Sequence, residues 1–113
     1  MKELTDKIIK FRDERKWEQF QSTKDLLIGL SIEVAELQEI FLWNKENDSV
    51  NVEEVKHELA DIFIFLVYIS EKYKIDLEKA VEEKIEIHKL HYPVKKSKGK
   101  NTKYNKLNDD KND

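Results

Sequence analysis

Two glycines, Gly29 and Gly99, and one proline, Pro93, are the only strong helix breakers in a chain of 113 residues. Backbone this rarely punctuated favours long helices over a turn-rich β architecture. The reading is therefore an all-α fold, and the residue pattern decides where each helix lies.

Four amphipathic segments follow from apolar spacing. The first covers about Lys2 to Trp17, with Leu4, Ile8 and Phe11 on one face. The second covers about Thr23 to Trp43, where Leu27, Leu30, Val34, Leu37 and Phe41 recur at three and four residues and Ser22 or Thr23 caps the start. The stretch from Asn44 to Val50 reads as a polar turn. The third covers about Val52 to Tyr73, opened by Asn51 and Glu54 in capping-box spacing. Its second half is apolar all round, which fits burial on several sides, including by a second subunit. Asp76 caps the fourth, which carries Leu77, Val81 and Ile85 and stops near Tyr92, ahead of Pro93. Residues 1–94 form one domain in this reading, and residues 95–113 a polar, mobile tail on which Tyr104 and Leu107 are the candidates for docking.

Composition bounds the function. Hydrophobic residues are 39% and charged residues 40% of the chain, lean for a self-sufficient core, so a core shared across an oligomer interface is expected. The net charge is −3, which gives no general attraction to nucleic acid or anionic lipid. The Lys-rich tail reads as a solvated extension, since Asp109, Asp110 and Asp113 dilute it. Cysteine is absent, which removes disulfides, thiolate zinc sites and a thiol nucleophile. The first residues are too polar for a secretory signal, and the apolar run from Ile62 to Ile69 is too short to span a bilayer. A cytoplasmic protein with no membrane partner is expected.

The feature that needs a chemical reason is a set of carboxylates on apolar faces. On the second helix Glu33 projects among Leu26, Leu37 and Ile40, with Glu36 beside it, while Glu39 points to solvent. On the third, Glu58 falls among Ile62, Phe65 and Ile69, Asp61 lies one step over, and Glu54 precedes Glu58 on the same strip. A carboxylate without a partner in such a setting is costly. Protonation, pairing with Lys or Arg, or a bound cation would each relieve it. Chance pairs of acids are common in so charged a chain. For an ion, all-oxygen donors suit magnesium or manganese rather than zinc, and magnesium favours phosphate ligands on its substrate.

The pairs Glu33-Val-Ala-Glu36 and Glu58-Leu-Ala-Asp61 resemble the signature of the all-α MazG-like nucleotide pyrophosphohydrolases. The likeness extends through Phe11–Phe20, through Glu36-Leu to Phe41-Leu-Trp43, to Tyr92-Pro93 and to Lys103, Tyr104 and Leu107, and is strongest toward the dCTP pyrophosphatase branch. It implies a four-helix antiparallel bundle subunit that assembles into a dimer or tetramer. It implies Mg2+, with Mn2+ as a substitute, on Glu33, Glu36, Glu58 and Asp61, and a nucleoside triphosphate cut to monophosphate and pyrophosphate. By the same resemblance, Glu33 or Glu36 would be the catalytic carboxylate for the attacking water, and Trp17 and Trp43 would hold the base; Lys24, Lys84, His88 and Tyr92 are further substrate-binding candidates, with Lys89 behind them. The chain departs from that branch at Gln21, Phe65, His88 and His91, which leaves base preference open, including a dUTPase-like one. The competing reading is a non-catalytic helical interaction module whose acids pair with a partner's cations. His57, His88 and His91 lack a metal-ligand spacing, and His57 is expected to face solvent.

Overall fold

The computed structural model describes residues 1–44 and 49–109, and all regular structure among them is helical. It contains α1 (Lys2–Glu14), a 3-10 turn (Trp17–Phe20), α2 (Thr23–Phe41), α3 (Val52–Lys72), α4 (Leu77–His91), α5 (Val94–Ser97) and a second 3-10 turn (Tyr104–Asp109). The four long helices expected from periodicity are present. Residues 45–48 of the expected polar turn, and Asp110 and Asp113, lie outside the described residues, as does the side chain of Leu107. No described helix is long and apolar enough to cross a membrane.

Two compact units divide at Ile75. In the first, α2 and α3 pack as an antiparallel pair. The direction follows from their contacts, because higher positions on α2 meet lower positions on α3. Thr23 Oγ1 lies 2.7 Å from Tyr73 Oη at one end, Gly29 faces Phe65 in the middle, and Glu33 and Glu36 meet Glu58 further on. Glycine inside a helix costs about 1 kcal/mol against alanine. Here it permits close approach: a Cβ at Gly29 would sit 2.5 Å from Phe65 Cε1.

The caps agree with sequence. Ser22 rather than Thr23 caps α2, its Oγ accepting from the Asp25 amide at 3.1 Å. Asn51 Oδ1 accepts from the amides of Glu53 and Glu54, and Asp76 Oδ1 from that of Lys79.

One boundary differs. The first helix ends at Glu14, not at Trp17. Lys16 takes a left-handed φ of 54°, a conformation disfavoured for a residue with a Cβ. Packing supplies the reason. Arg12, only 3% exposed, reaches Asp13 at 2.8 Å, Glu18 at 3.7 Å and Glu71 of α3 at 3.3 Å. Trp17 turns its ring edge-on to Phe11 at 5.7 Å. A helix continued through residue 17 would carry Glu18 and Trp17 away from these partners.

In the second unit the tail is not featureless. Val94–Ser97 adds a helical turn after Pro93, and Tyr104 stacks on His91 at 4.1 Å and meets Tyr92 edge-on at 6.0 Å. Tyr104 is thus docked, as expected. Stacked and edge-on aromatic pairs hold a polar segment that has little else to bury.

Candidate metal centre

The first unit has a thin core. Among the described residues, only Leu26, Val67 and Tyr68 are fully buried apolar side chains. Against that background the position of the acids is informative. Glu33 and Glu36, one turn apart on α2, face Glu58 on α3, and one carboxylate oxygen from each lies within 4.8 Å of the others. Glu33 Oε2 and Glu58 Oε2 are buried with no hydrogen-bond partner among the described residues.

Burial raises the Glu33 pKa from 4.5 to about 7, helped by the Glu36 and Glu58 carboxylates against it and by the charge of Asp61. Glu58 is raised too, by burial first and then by Glu36 and Asp61. Asp61 therefore acts on the cluster electrostatically, although its oxygen is not among the three that converge. Orphaned oxygens in an all-carboxylate set that repels itself fit a hard divalent cation. Glu54, on the strip before Glu58, is exposed.

A cavity of about 340 Å³ is lined by Trp17, Phe20, Gln21, Asp25, Leu26 and Phe65. Both Leu26 and Phe65 are seven residues from an acid of the cluster, Glu33 and Glu58 respectively. Two helical turns separate them, roughly 10 Å at 1.5 Å per residue, and at about 100° per residue they share one face.

The other expected site residues fall as follows. Trp17 is 44% exposed at the cavity, and the Arg15 guanidinium lies 3.7 Å from the Phe11 ring that Trp17 packs against. Trp43 is 91% exposed just after α2, at a left-handed φ of 67°. Lys24 is exposed in the first turn of α2. Lys84, His88 and Tyr92 belong to the second unit; Lys84 is exposed, and His88 and Tyr92 have ring centroids 6.1 Å apart. Lys89 is paired with Glu86 at 3.0 Å. His57 is exposed, 3.9 Å from Glu53.

Sequence reasoning missed Arg12 as the anchor of the turn that carries Trp17. The signal was there: Arg12 follows Ile8 by four residues, inside the apolar stripe. It also missed Gly29 as the notch for Phe65, which no periodicity reveals.

The comparisons agree with this geometry. The family model described as MazG-like matches residues 28–107. The chain is 35% identical over 104 residues to dCTP pyrophosphatase 1 of Mus musculus, covering 86% of this chain and 61% of that one. It is 33% identical to the Homo sapiens protein of that name over the same length and coverage. It thus spans about three fifths of the length of these relatives. A crystal structure of a pyrophosphatase from Archaeoglobus fulgidus superposes with a TM-score of 0.76 at 37% identity, covering 82% of this chain and 92% of that one. With a family match across both acid pairs, and with Glu33 and Glu36 facing Glu58 in the structure, this chain belongs to the MazG-like family.

Proposed function

We propose that this chain is a magnesium-dependent nucleoside triphosphate pyrophosphohydrolase that favours dCTP or a related pyrimidine deoxynucleotide. The observation that carries the reading is the convergence of Glu33, Glu36 and Glu58 with two orphaned carboxylate oxygens. The named activities of the mammalian and archaeal relatives support it.

Glu33, Glu36, Glu58 and Asp61 would hold the ion. Magnesium bound there would supply charge neutralisation for the phosphates and a more acidic water. The water oxygen attacks the α-phosphorus, the bond from that phosphorus to the oxygen bridging to the β-phosphate breaks, and pyrophosphate leaves the monophosphate behind. Glu33 or Glu36 accepts the water proton. Trp17 offers an aromatic face to the base at the cavity, and Trp43, exposed just after α2, is a further base-binding candidate. Lys24 on the first unit, and Lys84, His88 and Tyr92 on the second, are further substrate-binding candidates.

The active assembly is a homo-oligomer, a dimer or tetramer. Leu27, Ile28 and Ile32 on α2 and Leu59 on α3 are 47–53% exposed, a patch of apolar surface of the kind that a second subunit covers.

A panel of ribo- and deoxynucleoside triphosphates with and without Mg2+, read by pyrophosphate release, tests the activity. Release should require the ion, and Asp61→Ala or Glu33→Ala should lower kcat/KM by at least about a hundredfold. No release from any nucleotide would refute the reading.

A further inference from the structure

Charge along this chain is unevenly spread. Residues 87–106 hold seven lysines and no acid. Of the 21 basic side chains in the chain, 14 are left for all other residues, against the full 24 acids. The net charge of −3 hides this local excess. A solvated tail would disperse it; the folded second unit gathers it.

The gathering follows from local chemistry. Helix α4 ends ahead of Pro93, and the single turn of α5 follows. Lys98, at φ −60° and ψ 120°, and Gly99, at φ 75°, then have the angles of a type II turn, closed by the Lys100 amide donating to the Ser97 carbonyl at 3.0 Å. After this reversal Tyr104 returns to the end of α4 and stacks on His91, with 4.1 Å between ring centroids and 13° between planes. Lys95, Lys98, Lys103 and Lys106 are exposed on the returning segment, and none of the four makes an ion pair among the described residues. Lys89, by contrast, is already paired with Glu86. Tyr104, with one face against His91, is still 43% exposed.

We infer that residues 87–106 form a binding surface for single-stranded nucleic acid. Lys95, Lys98, Lys103 and Lys106 meet successive phosphates, and an unpaired base stacks on Tyr104, extending the pair that Tyr104 makes with His91. Lysines on phosphates release counterions whatever the sequence. Stacking on a ring is equally tolerant, because every base has a flat face. A duplex offers the same phosphates, but its bases are already stacked on one another. An anionic lipid surface would engage the lysines and leave Tyr104 without a flat partner.

The test measures binding of a fluorescein-labelled oligothymidylate of about twelve nucleotides to the full chain by anisotropy. With four lysines on phosphates, affinity should fall roughly fiftyfold between 50 and 200 mM KCl. Replacing Lys95, Lys98, Lys103 and Lys106 together by glutamate should abolish binding at 150 mM KCl. Tyr104→Ala should weaken it about five- to a hundredfold, and Tyr104→Trp, which keeps a ring, should preserve or tighten it. Because Tyr104→Ala also frees the segment, the position of the base is read directly: an oligonucleotide carrying 5-iodouracil should crosslink to Tyr104 under near-ultraviolet light, as mapped by mass spectrometry. A crosslink at Trp17 or Trp43 in place of Tyr104 overturns the inference. So does a duplex of the same length that binds as tightly as the single strand. No binding at 50 mM KCl, or binding to phosphatidylserine vesicles with none to the oligonucleotide, overturns it as well.

Discussion

Replacing Glu33 by glutamine should stabilise the metal-free protein at pH 8 while weakening its response to magnesium. The Glu33 carboxyl is held at about 7 in the folded chain against an ordinary value of 4.5, chiefly because it is buried and because Glu36, Glu58 and Asp61 surround it with like charge. A folded-state pKa raised in this way means that the folded protein holds this proton more tightly than the unfolded chain. Its stabilising effect is complete below about 4.5 and is lost as pH rises through about 7. At about 1.4 kcal/mol per pKa unit, and with screening at a half-buried group counted, the penalty carried at pH 8 is roughly 1–3 kcal/mol. Glutamine keeps the shape and cannot ionise. Metal-free Glu33→Gln should therefore melt about 4–15 °C above the parent at pH 8, and close to it at pH 4.5. Magnesium should raise the parent's melting temperature more at pH 8 than at pH 4.5, because protons compete for the same oxygens. In Glu33→Gln that rise should shrink at both values. Calorimetric scans across pH, with and without the ion, read all of this. A metal-free Glu33→Gln that melts at or below the parent at pH 8 would refute the picture of uncompensated carboxylates.

Further expectations follow from packing. Gly29→Ala places a methyl 2.5 Å from the Phe65 ring, so overpacking of about 1–3 kcal/mol should outweigh the helix propensity gained, and the variant should unfold at lower urea. Arg12→Met removes the guanidinium that joins Asp13, Glu18 and Glu71. Because those partners are partly solvated, the loss should be about 1–3 kcal/mol by urea denaturation, with faster amide exchange in the turn Trp17–Phe20. Tyr104→Ala removes the stack on His91. It should speed amide exchange around residues 94–106, at a cost of roughly 0.5–1.5 kcal/mol to that segment, and leave exchange in α2 and α3 unchanged.

Much of this molecule was legible in its residues. Helix existence followed from apolar periodicity and from the scarcity of Gly and Pro, since both act locally and need no partner to be read. The caps at Ser22, Asn51 and Asp76 were legible for the same reason: a side-chain oxygen reaches an amide only two or three positions away. The acids were legible as anomalies, because a carboxylate on an apolar face has a cost whatever surrounds it.

Other features belong to tertiary structure, because they arise where distant segments meet. Arg12 ends α1 early by gathering Glu18 and Glu71, the latter far along the chain. Gly29 is an ordinary weak spot in a helix until Phe65 fills its notch. Periodicity placed Glu33, Glu36 and Glu58 on their helix faces, but only the antiparallel register of α2 against α3 brought their oxygens within 4.8 Å of one another. Local chemistry set which residues carried charge and which turned inward; the packing of one helix on another decided which of those charges had to share a site.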